Sequence, residues 1–467
     1  MEGLEASEVM LGELSDYEEN ENFRIDSDFY KKQFILDEIM IKNLEWDCLG
    51  NLSKSIINFG AYSLCNFIEF VDNGVPYLNV VDIKDNIINW ENAKRINAEL
   101  SHRTLYKSLA IENQVLLTIA GTIGNASVAY KLPEGTNSNQ AIANITTKEI
   151  LNPFYLSTYL NSRFGRSQTQ KLTISSVQPN LLLTQVKRIK VPIPSIPFQN
   201  HIEATIKKGH NKREQSQALY RQAEDLLLET IGLKGFKPSR ENKSVKSFKE
   251  SFLTTGRLDA EYYQPKYEEI ENKIKNMSHA CLSELTIFIN HGKQPPYIEN
   301  GTVRVFSQKW IGDKSIDYSF LEATDDPFTS AEFAAQNSKY VARKNDILYY
   351  SVGANIGYCH NYLLDEPIMP GSFITLIRAN SKKIDPVYLG IVLNSLVGRL
   401  QAEKHKSATA QPYIYPKDIS KFVIPLIAPK IQRRIAALIT KSFTLRSESE
   451  RLLDEAKETV EREIEKG

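Results

Sequence analysis

Phe23-Arg24-Ile25-Asp26-Ser27-Asp28-Phe29-Tyr30 and Gly256-Arg257-Leu258-Asp259-Ala260-Glu261-Tyr262-Tyr263 are two versions of one phrase, an arginine, an acid pair and a closing aromatic pair, set 233 residues apart. The same offset carries Ile123-Gly124 onto Ile356-Gly357 and Pro153-x-Tyr155-Leu156 onto Pro386-x-Tyr388-Leu389. It also carries Asn161-Ser162 onto Asn394-Ser395, Gln178-Pro179 onto Gln411-Pro412, Val191-Pro192 onto Ile424-Pro425, and Gln199 onto Gln432. Between these landmarks the halves diverge, and the offset drifts to 227 where Asn73-Gly74 meets Asn300-Gly301. Ends kept in register around a variable middle describe one scaffold carrying two different working surfaces.

Each half has the same internal order. A segment rich in Val, Ile, Tyr and Asn-Gly turns, about 45 to 150 and 280 to 380, reads as strands. Leu116-Leu117-Thr118-Ile119 before Ala120-Gly121 is a strand leaving into a tight turn, and Ile347-Leu348-Tyr349-Tyr350 before Ser351-Val352-Gly353 repeats it. A helix opens at Pro153 and at Pro386, where a missing N–H costs nothing. A polar loop and a proline-ended strand follow. Each half closes on a long helix, about Phe198 to Ile231 and Ile431 to Ile464. In the second, Ile435, Leu438, Ser442, Leu445, Leu452, Ala456, Val460 and Ile464 form one narrow stripe. Two helices of about 34 residues are ~50 Å long and gain stability only by burying their stripes against each other.

The expected fold is therefore α+β: two duplicated mixed α/β domains joined by two long antiparallel helices in a coiled coil, with pseudo-two-fold symmetry. Its divisions are an acidic tail at 1–22, a first domain at 23–197, a central helix at 198–232, a basic linker at 233–255, a second domain at 256–430 and a closing helix at 431–467.

The chain has 467 residues, with Lys+Arg 57 against Asp+Glu 57. The zero balance alone argues against a nucleic-acid partner. It hides a segregated distribution, because residues 1–22 hold eight acids and no Lys or Arg, and the remainder has 57 basic against 49 acidic residues. No apolar run reaches the roughly 18 residues a membrane span needs, and the acidic N-terminus is no secretory signal. Cys48, Cys65, Cys281 and Cys359 lie far apart without CxxC pairing, which fits a reducing cytoplasm and neither a zinc ribbon nor a disulfide framework.

Catalytic motifs are missing. There is no phosphate-binding G-x-x-x-x-G-K-[ST] and no G-x-G-x-x-G. Gln294-Pro295-Pro296-Tyr297 superficially resembles the loop of DNA amino-methyltransferases, but no cofactor motif precedes it. The seven histidines include no pair at metal-ligand spacing; His201 and His210 fall on the first long helix, where exposure is expected. The chain reads as non-catalytic, with no metal.

Two similar domains on a rod fit a duplex, whose repeat converts protein spacing into site spacing. A helix of ~50 Å matches about 15 base pairs at 3.4 Å per step. Candidate DNA-contacting side chains are Asn79, Lys84, Arg163, Arg166 and Lys171 in the first half. In the second they are Lys293, Gln294, Gln308, Lys309, Trp310, Lys404 and Lys406, with His405 between the last two. Lys and Gln offer donors to guanine and adenine edges, and clustered Lys meets phosphates.

From residue 23 onward the chain resembles the DNA-specificity subunit of type I restriction–modification systems, on the paired R-[IL]-D-x-[DE]-[FY]-Y openings, the Ile-Gly turns, the P-x-Y-L helices, the Gln-Pro loops and the proline-ended strands leading to Gln199 and Gln432. The resemblance implies two target recognition domains, each reading one part of a bipartite asymmetric sequence in double-stranded DNA, and paired helices that set the spacer and dock two methyltransferase subunits. It places S-adenosylmethionine on those subunits, and ATP and Mg on two translocase–nuclease subunits; this chain carries no cofactor. An alternative keeps the fold but assigns it to a type IIB-like enzyme, and another makes the chain a twin-domain scaffold for other proteins. The acidic tail is not part of the resemblance.

Overall fold

A computed structural model describes residues 27, 29–59, 68–91, 93–173, 179–241, 243–321, 327–407 and 411–467. The acidic tail, Arg24, Cys65 and Gln178 lie outside them. The chain divides into two compact units, 1–214 with 446–467 and 215–445, so that each unit takes a segment of both long helices.

In the first unit, β1 (Ser53–Ile57), β2 (Val115–Thr118), β3 (Ala126–Val128) and β4 (Ile142–Thr147) form an antiparallel sheet in the order β1-β4-β2-β3. The second unit repeats it with β5 (Thr286–His291), β6 (Ile347–Tyr350), β7 (Cys359–Asn361) and β8 (Ile374–Ala379) in the order β5-β8-β6-β7. Each unit adds a smaller three-stranded sheet with one parallel pair, Tyr77 beside Asn137 in one and Val305 beside Met369 in the other.

The helices recur in the same way. In the first half they are α1 (Lys32–Lys42), α2 (Pro153–Asn161), α3 (Arg163–Leu172) and the long α4 (Ile196–Thr230). In the second they are α5 (Pro265–Lys275), α6 (Pro386–Asn394), α7 (Leu396–His405) and the long α8 (Pro429–Glu465). Their starts pair as 32 and 265, 153 and 386, 163 and 396, 196 and 429, each 233 apart. Gly165 and Gly398 allow the sharp step into α3 and α7, because a Cβ there would lie 2.2 Å from Tyr159 O or 2.0 Å from Leu393 O.

The apolar stripe read from the second long helix is buried at Ile435, Ser442, Leu445, Leu452, Ala456, Val460 and Ile464. In the first unit, Ile202 and Ile206 share a core with Leu453, Ala456, Val460 and Ile464, and Gly209 leaves room for Leu453. Lys212 pairs with Glu448 there at 2.7 Å, so the two segments run antiparallel. In the second unit, Ala223, Leu227 and Ile231 meet Ile435. The polar middle of α4 is accounted for by a reciprocal pair: Ser216 Oγ donates to Ser442 O at 2.7 Å, and Ser442 Oγ to Ser216 O at 2.8 Å. His210, expected to be exposed, instead has Nε2 2.6 Å from Asn86 O and packs against Tyr130.

Two buried polar devices tie the pieces together, and both are duplicated. Gln199, in the first turn of α4, accepts from Asn152 N–H at 2.8 Å and donates to Ile150 O and Pro194 O. Gln432 accepts from Asp385 N–H at 3.0 Å and donates to Ile427 O. Each glutamine thus links the start of a long helix to the cap of the P-x-Y-L helix. In the second device, Glu38 of α1 binds Lys171 of α3 at 2.5 Å and Lys190 at 2.7 Å, while Glu271 of α5 binds Lys404 of α7 at 2.5 Å. Phe29 and Tyr262, from the repeated opening phrase, lie under these ammonium groups at 4.8 and 4.9 Å.

Gln432→Ala leaves the Asp385 amide without its acceptor and should cost about 1–3 kcal/mol in a urea melt; Gln199→Ala should cost a comparable amount. The acid limb of stability tests the second device. Burial raises the Glu38 carboxyl, but the two lysines outweigh it and bring it down from 4.5 to about 2. A folded value below the unfolded one stabilises above pH ~4.5 and is lost as pH falls toward 2, a contribution of about 3 kcal/mol. Glu38→Gln should flatten that limb in urea midpoints measured across pH; an unchanged limb would show that the pair contributes nothing to it.

Candidate nucleic-acid interface

The two main sheets end in equivalent rims. In the second domain, β5 ends at His291 opposite Thr375, and β6 ends at Tyr350 opposite Ile374. Beyond β6 the chain keeps bonding: Ser351 N–H donates to Phe373 O, Ile414 N–H to Ser351 O, and Gly353 N–H to Pro412 O, with Val352 bridged to Tyr413. The first domain has the same pattern, Ile119 N–H donating to Ala141 O and Leu181 N–H to Ile119 O, with Ala120 bridged to Asn180. The segments following the Gln-Pro loops are thereby laid against the ends of both sheets.

An arginine on the second short helix fixes each turn. Arg166 donates to Ile123 O at 3.2 Å and Asn125 Oδ1 at 2.7 Å and pairs with Asp85. Arg399, 233 residues on, binds Asp313 and Asn394 and covers the Tyr358 ring at 4.1 Å. Gly124 and Gly357 supply the left-handed backbone, φ 92° and 96°, that lets the chain turn beside them.

With the frame held in common, the rims carry different chemistry. The first offers amides: Asn58, Asn79, Asn139, Gln140 and Asn180. Asn139 Nδ2 reaches Asn79 Oδ1 at 3.4 Å, and Asn58 Nδ2 donates to Gln140 O at 3.3 Å. The second offers rings: Tyr413 lies tilted against Tyr415 at 4.5 Å, His291 touches Tyr413 at 5.4 Å, and Tyr297, Phe373 and Tyr415 are 60%, 55% and 50% exposed. Burial lowers His291 below its ordinary value, leaving a neutral imidazole.

The residues singled out by type fall into three groups. Lys171 and Lys404 lie in the buried pairs with Glu38 and Glu271; Arg166 holds its turn; Arg163 pairs with Asp37 and Glu465 and receives Glu461 on its backbone N–H. His405 is driven down to about 4 by burial and then by Lys404, so it is neutral. A second group lines the rims: Asn79, Gln294 bonded to Tyr297 at 2.6 Å, Lys293 bonded to Asn337 at 2.7 Å, and Gln308 donating to Val352 O at 2.9 Å. Lys406 shares a cleft with Gly353, Arg399, Glu403 and Pro412. The third group lies beside these: Lys309 is exposed over the Trp310 ring at 4.6 Å, Trp310 packs toward Phe320, and Lys84 is exposed on a short strand. Sequence reasoning missed Asn58, Asn139, Gln140, Asn180, Phe373, Tyr413 and Tyr415. Asn180, Tyr413 and Tyr415 follow the Gln-Pro landmarks within three residues; the others stand far from any repeated phrase.

Among the described residues no three His, Cys, Asp or Glu side chains are grouped to hold a metal ion, and no helix is long and apolar enough to cross a membrane.

Comparison with known proteins agrees with the duplication. The model of the family described as Type I restriction modification DNA specificity domain matches residues 54–221 and again 283–457. Over 182 residues the chain is 26% identical to the type I restriction enzyme EcoBI specificity subunit of Escherichia coli, a match that spans 38% of this chain and 38% of that relative's length. Solved structures similar to it include the S subunit of a type I restriction–modification system from M. genitalium, 14% identical, covering 90% of this chain and 96% of that one with a TM-score of 0.44. Another is the HsdS subunit from Thermoanaerobacter tengcongensis, 17% identical, covering 90% and 95% with a TM-score of 0.29. The same family model fits both halves of one chain, at the landmarks where the frame repeats, and this protein belongs to the type I restriction–modification DNA specificity family, with two copies of its domain.

Proposed function

We propose that this chain is the DNA-reading subunit of a type I restriction–modification complex and that each rim reads one half of a bipartite, asymmetric target in double-stranded DNA. The observation that carries this is the duplicated frame with unlike rims. Two copies of one scaffold held by the same glutamine, the same Lys–Glu pair and the same arginine differ where a ligand would be met. Asn and Gln can bond an adenine edge through two contacts, and Tyr, His and Lys suit other edges. Reading two different half-sites requires such a difference; a structural duplication does not.

In this reading the recognition domains span 23–197 and 256–430. The long helices act as an antiparallel spacer that sets the distance between half-sites and docks two methyltransferase subunits. S-adenosylmethionine belongs to those subunits, ATP and Mg to two translocase–nuclease subunits, and the complex works in the cytoplasm. The rims support the assignment of labour. Among the described residues, Lys171, Lys404, Arg166 and Arg399 are already paired within their domains, so base reading falls to this chain and most of the phosphate grip to its partners, where the salt dependence of binding would arise.

Sequencing the methylated bases of cells that express the complex should return one bipartite motif. Lys309→Ala should relax or weaken the second half-site alone. Shortening both long helices by a matched seven residues, about 10 Å, should shorten the spacer by about three base pairs and leave both half-sites unchanged. Changed half-sites would contradict the spacer role.

A further inference from the structure

The second rim contains a chain of four polar side chains that the duplicated frame does not explain. Tyr413 Oη lies 2.5 Å from His291 Nε2, and His291 Nδ1 lies 3.2 Å from Thr375 Oγ1. Thr375 Oγ1 is 2.7 Å from Ser351 Oγ, which is 3.3 Å from Tyr349 O. Ser351 and Thr375 are fully buried, His291 is half-buried, and Tyr413 stands at the outer end. At the corresponding points of the first domain stand Asn58, Ala143, Ile119 and Asn180, so no such relay exists there.

The protons of this relay can run in two directions, and counting decides between them. If Tyr413 donates to Nε2, then Nδ1–H donates to Thr375, Thr375 to Ser351, and Ser351 to the Tyr349 carbonyl. All four contacts are hydrogen bonds, and the buried hydroxyls are satisfied. In the reverse direction Ser351 donates to Thr375, Thr375 to Nδ1, and Nε2–H to Tyr413. Three contacts are then made and the Tyr349 carbonyl is dropped. The first direction makes one bond more, from Ser351 at 3.3 Å to a carbonyl of a strand already paired in the sheet, and is favoured by that bond. The neutral imidazole is what either direction needs, because a doubly protonated ring would place two donors against Thr375 and Tyr413.

We propose that Tyr413 is a specificity-determining residue of the second recognition domain, presenting its hydroxyl oxygen to the DNA as a hydrogen-bond acceptor because its proton is committed inward to His291. Such an acceptor selects a donor. In the major groove the donors are the exocyclic amino groups, N6 of adenine and N4 of cytosine, while thymine O4 and guanine O6 and N7 are acceptors and are disfavoured at the same point. This inference rests on the reading that the rim faces DNA and adds to it the class of group that one side chain recognises. His291, Thr375 and Ser351 are positioning residues that fix the polarity.

The test uses the full chain in complex with its methyltransferase subunit and duplexes of the motif found by methylation sequencing. Each adenine of the second half-site is replaced in turn by purine, which lacks the 6-amino group, and each cytosine by the corresponding 2-pyrimidinone. At one position the wild type should lose about five- to tenfold in affinity. Tyr413→Phe should bind the unmodified duplex with that same loss and lose nothing further on the modified one. His291→Phe, which frees the tyrosine proton, should reduce the preference for the amino group at that position while the first half-site stays intact. The proposal is overturned if Tyr413→Phe, with unchanged thermal stability, keeps full sensitivity to every amino-group deletion, or if the wild type is insensitive to all of them while its motif persists. Binding without any sequence preference by the wild type would instead sink the DNA-reading assignment itself.

Discussion

Gln199 and Gln432 each bond backbone groups through both ends of a side-chain amide, and the arrangement of either half follows from that. Their oxygens take the N–H groups of Asn152 and Asp385, the caps of the P-x-Y-L helices, and their nitrogens return to carbonyls just before the long helices begin. A buried amide held from both sides fixes direction as well as distance. The start of each long helix is therefore locked to the helix that packs under the sheet, and the sheet rim is placed relative to the helix by that lock. Tyr155 and Tyr388 reinforce it, donating to Pro192 O and Pro425 O at 2.9 and 2.8 Å.

A second constraint separates framework charge from surface charge. Glu38 and Glu271 draw in Lys171, Lys190 and Lys404, and Asp85 and Asp313 draw in Arg166 and Arg399. These pairs are partly or wholly withdrawn from water, and removing one member would leave an uncompensated charge. Glu38, Lys171 and Arg166 recur 233 residues on as Glu271, Lys404 and Arg399 because the frame needs them, while Asp85 and Asp313 stand 228 apart. The rim positions, which the frame does not need, were free to diverge into amides on one side and rings on the other.

The family assignment and this division fit each other. A specificity protein must keep a common body for assembly and vary the face that meets its target. Within this chain the body recurs in both halves, through Gln199 and Gln432 and the Lys–Glu pairs, and the rims differ.

The sequence by itself determined the duplication, the order of elements, the apolar stripe of the last helix and the importance of Gln199 and Gln432, since these are written as spacings and repeated phrases. It also brought forward Lys171, Arg166 and Lys404 as candidate contacts, because a lysine next to a partner and a lysine next to water look alike in one dimension. Only the tertiary structure decided which was which: Glu38 lies 133 residues from Lys171, and Glu271 lies 133 from Lys404. Asn79, Lys293, Gln294 and Gln308 were chosen by residue type and do line the rims; the rest of the rims was illegible for the same reason. His291, Thr375, Ser351 and Tyr413 are spread over more than a hundred residues and carry no motif, and only sheet pairing, by setting β5 against β8 and β8 against β6, brings their side chains into one line.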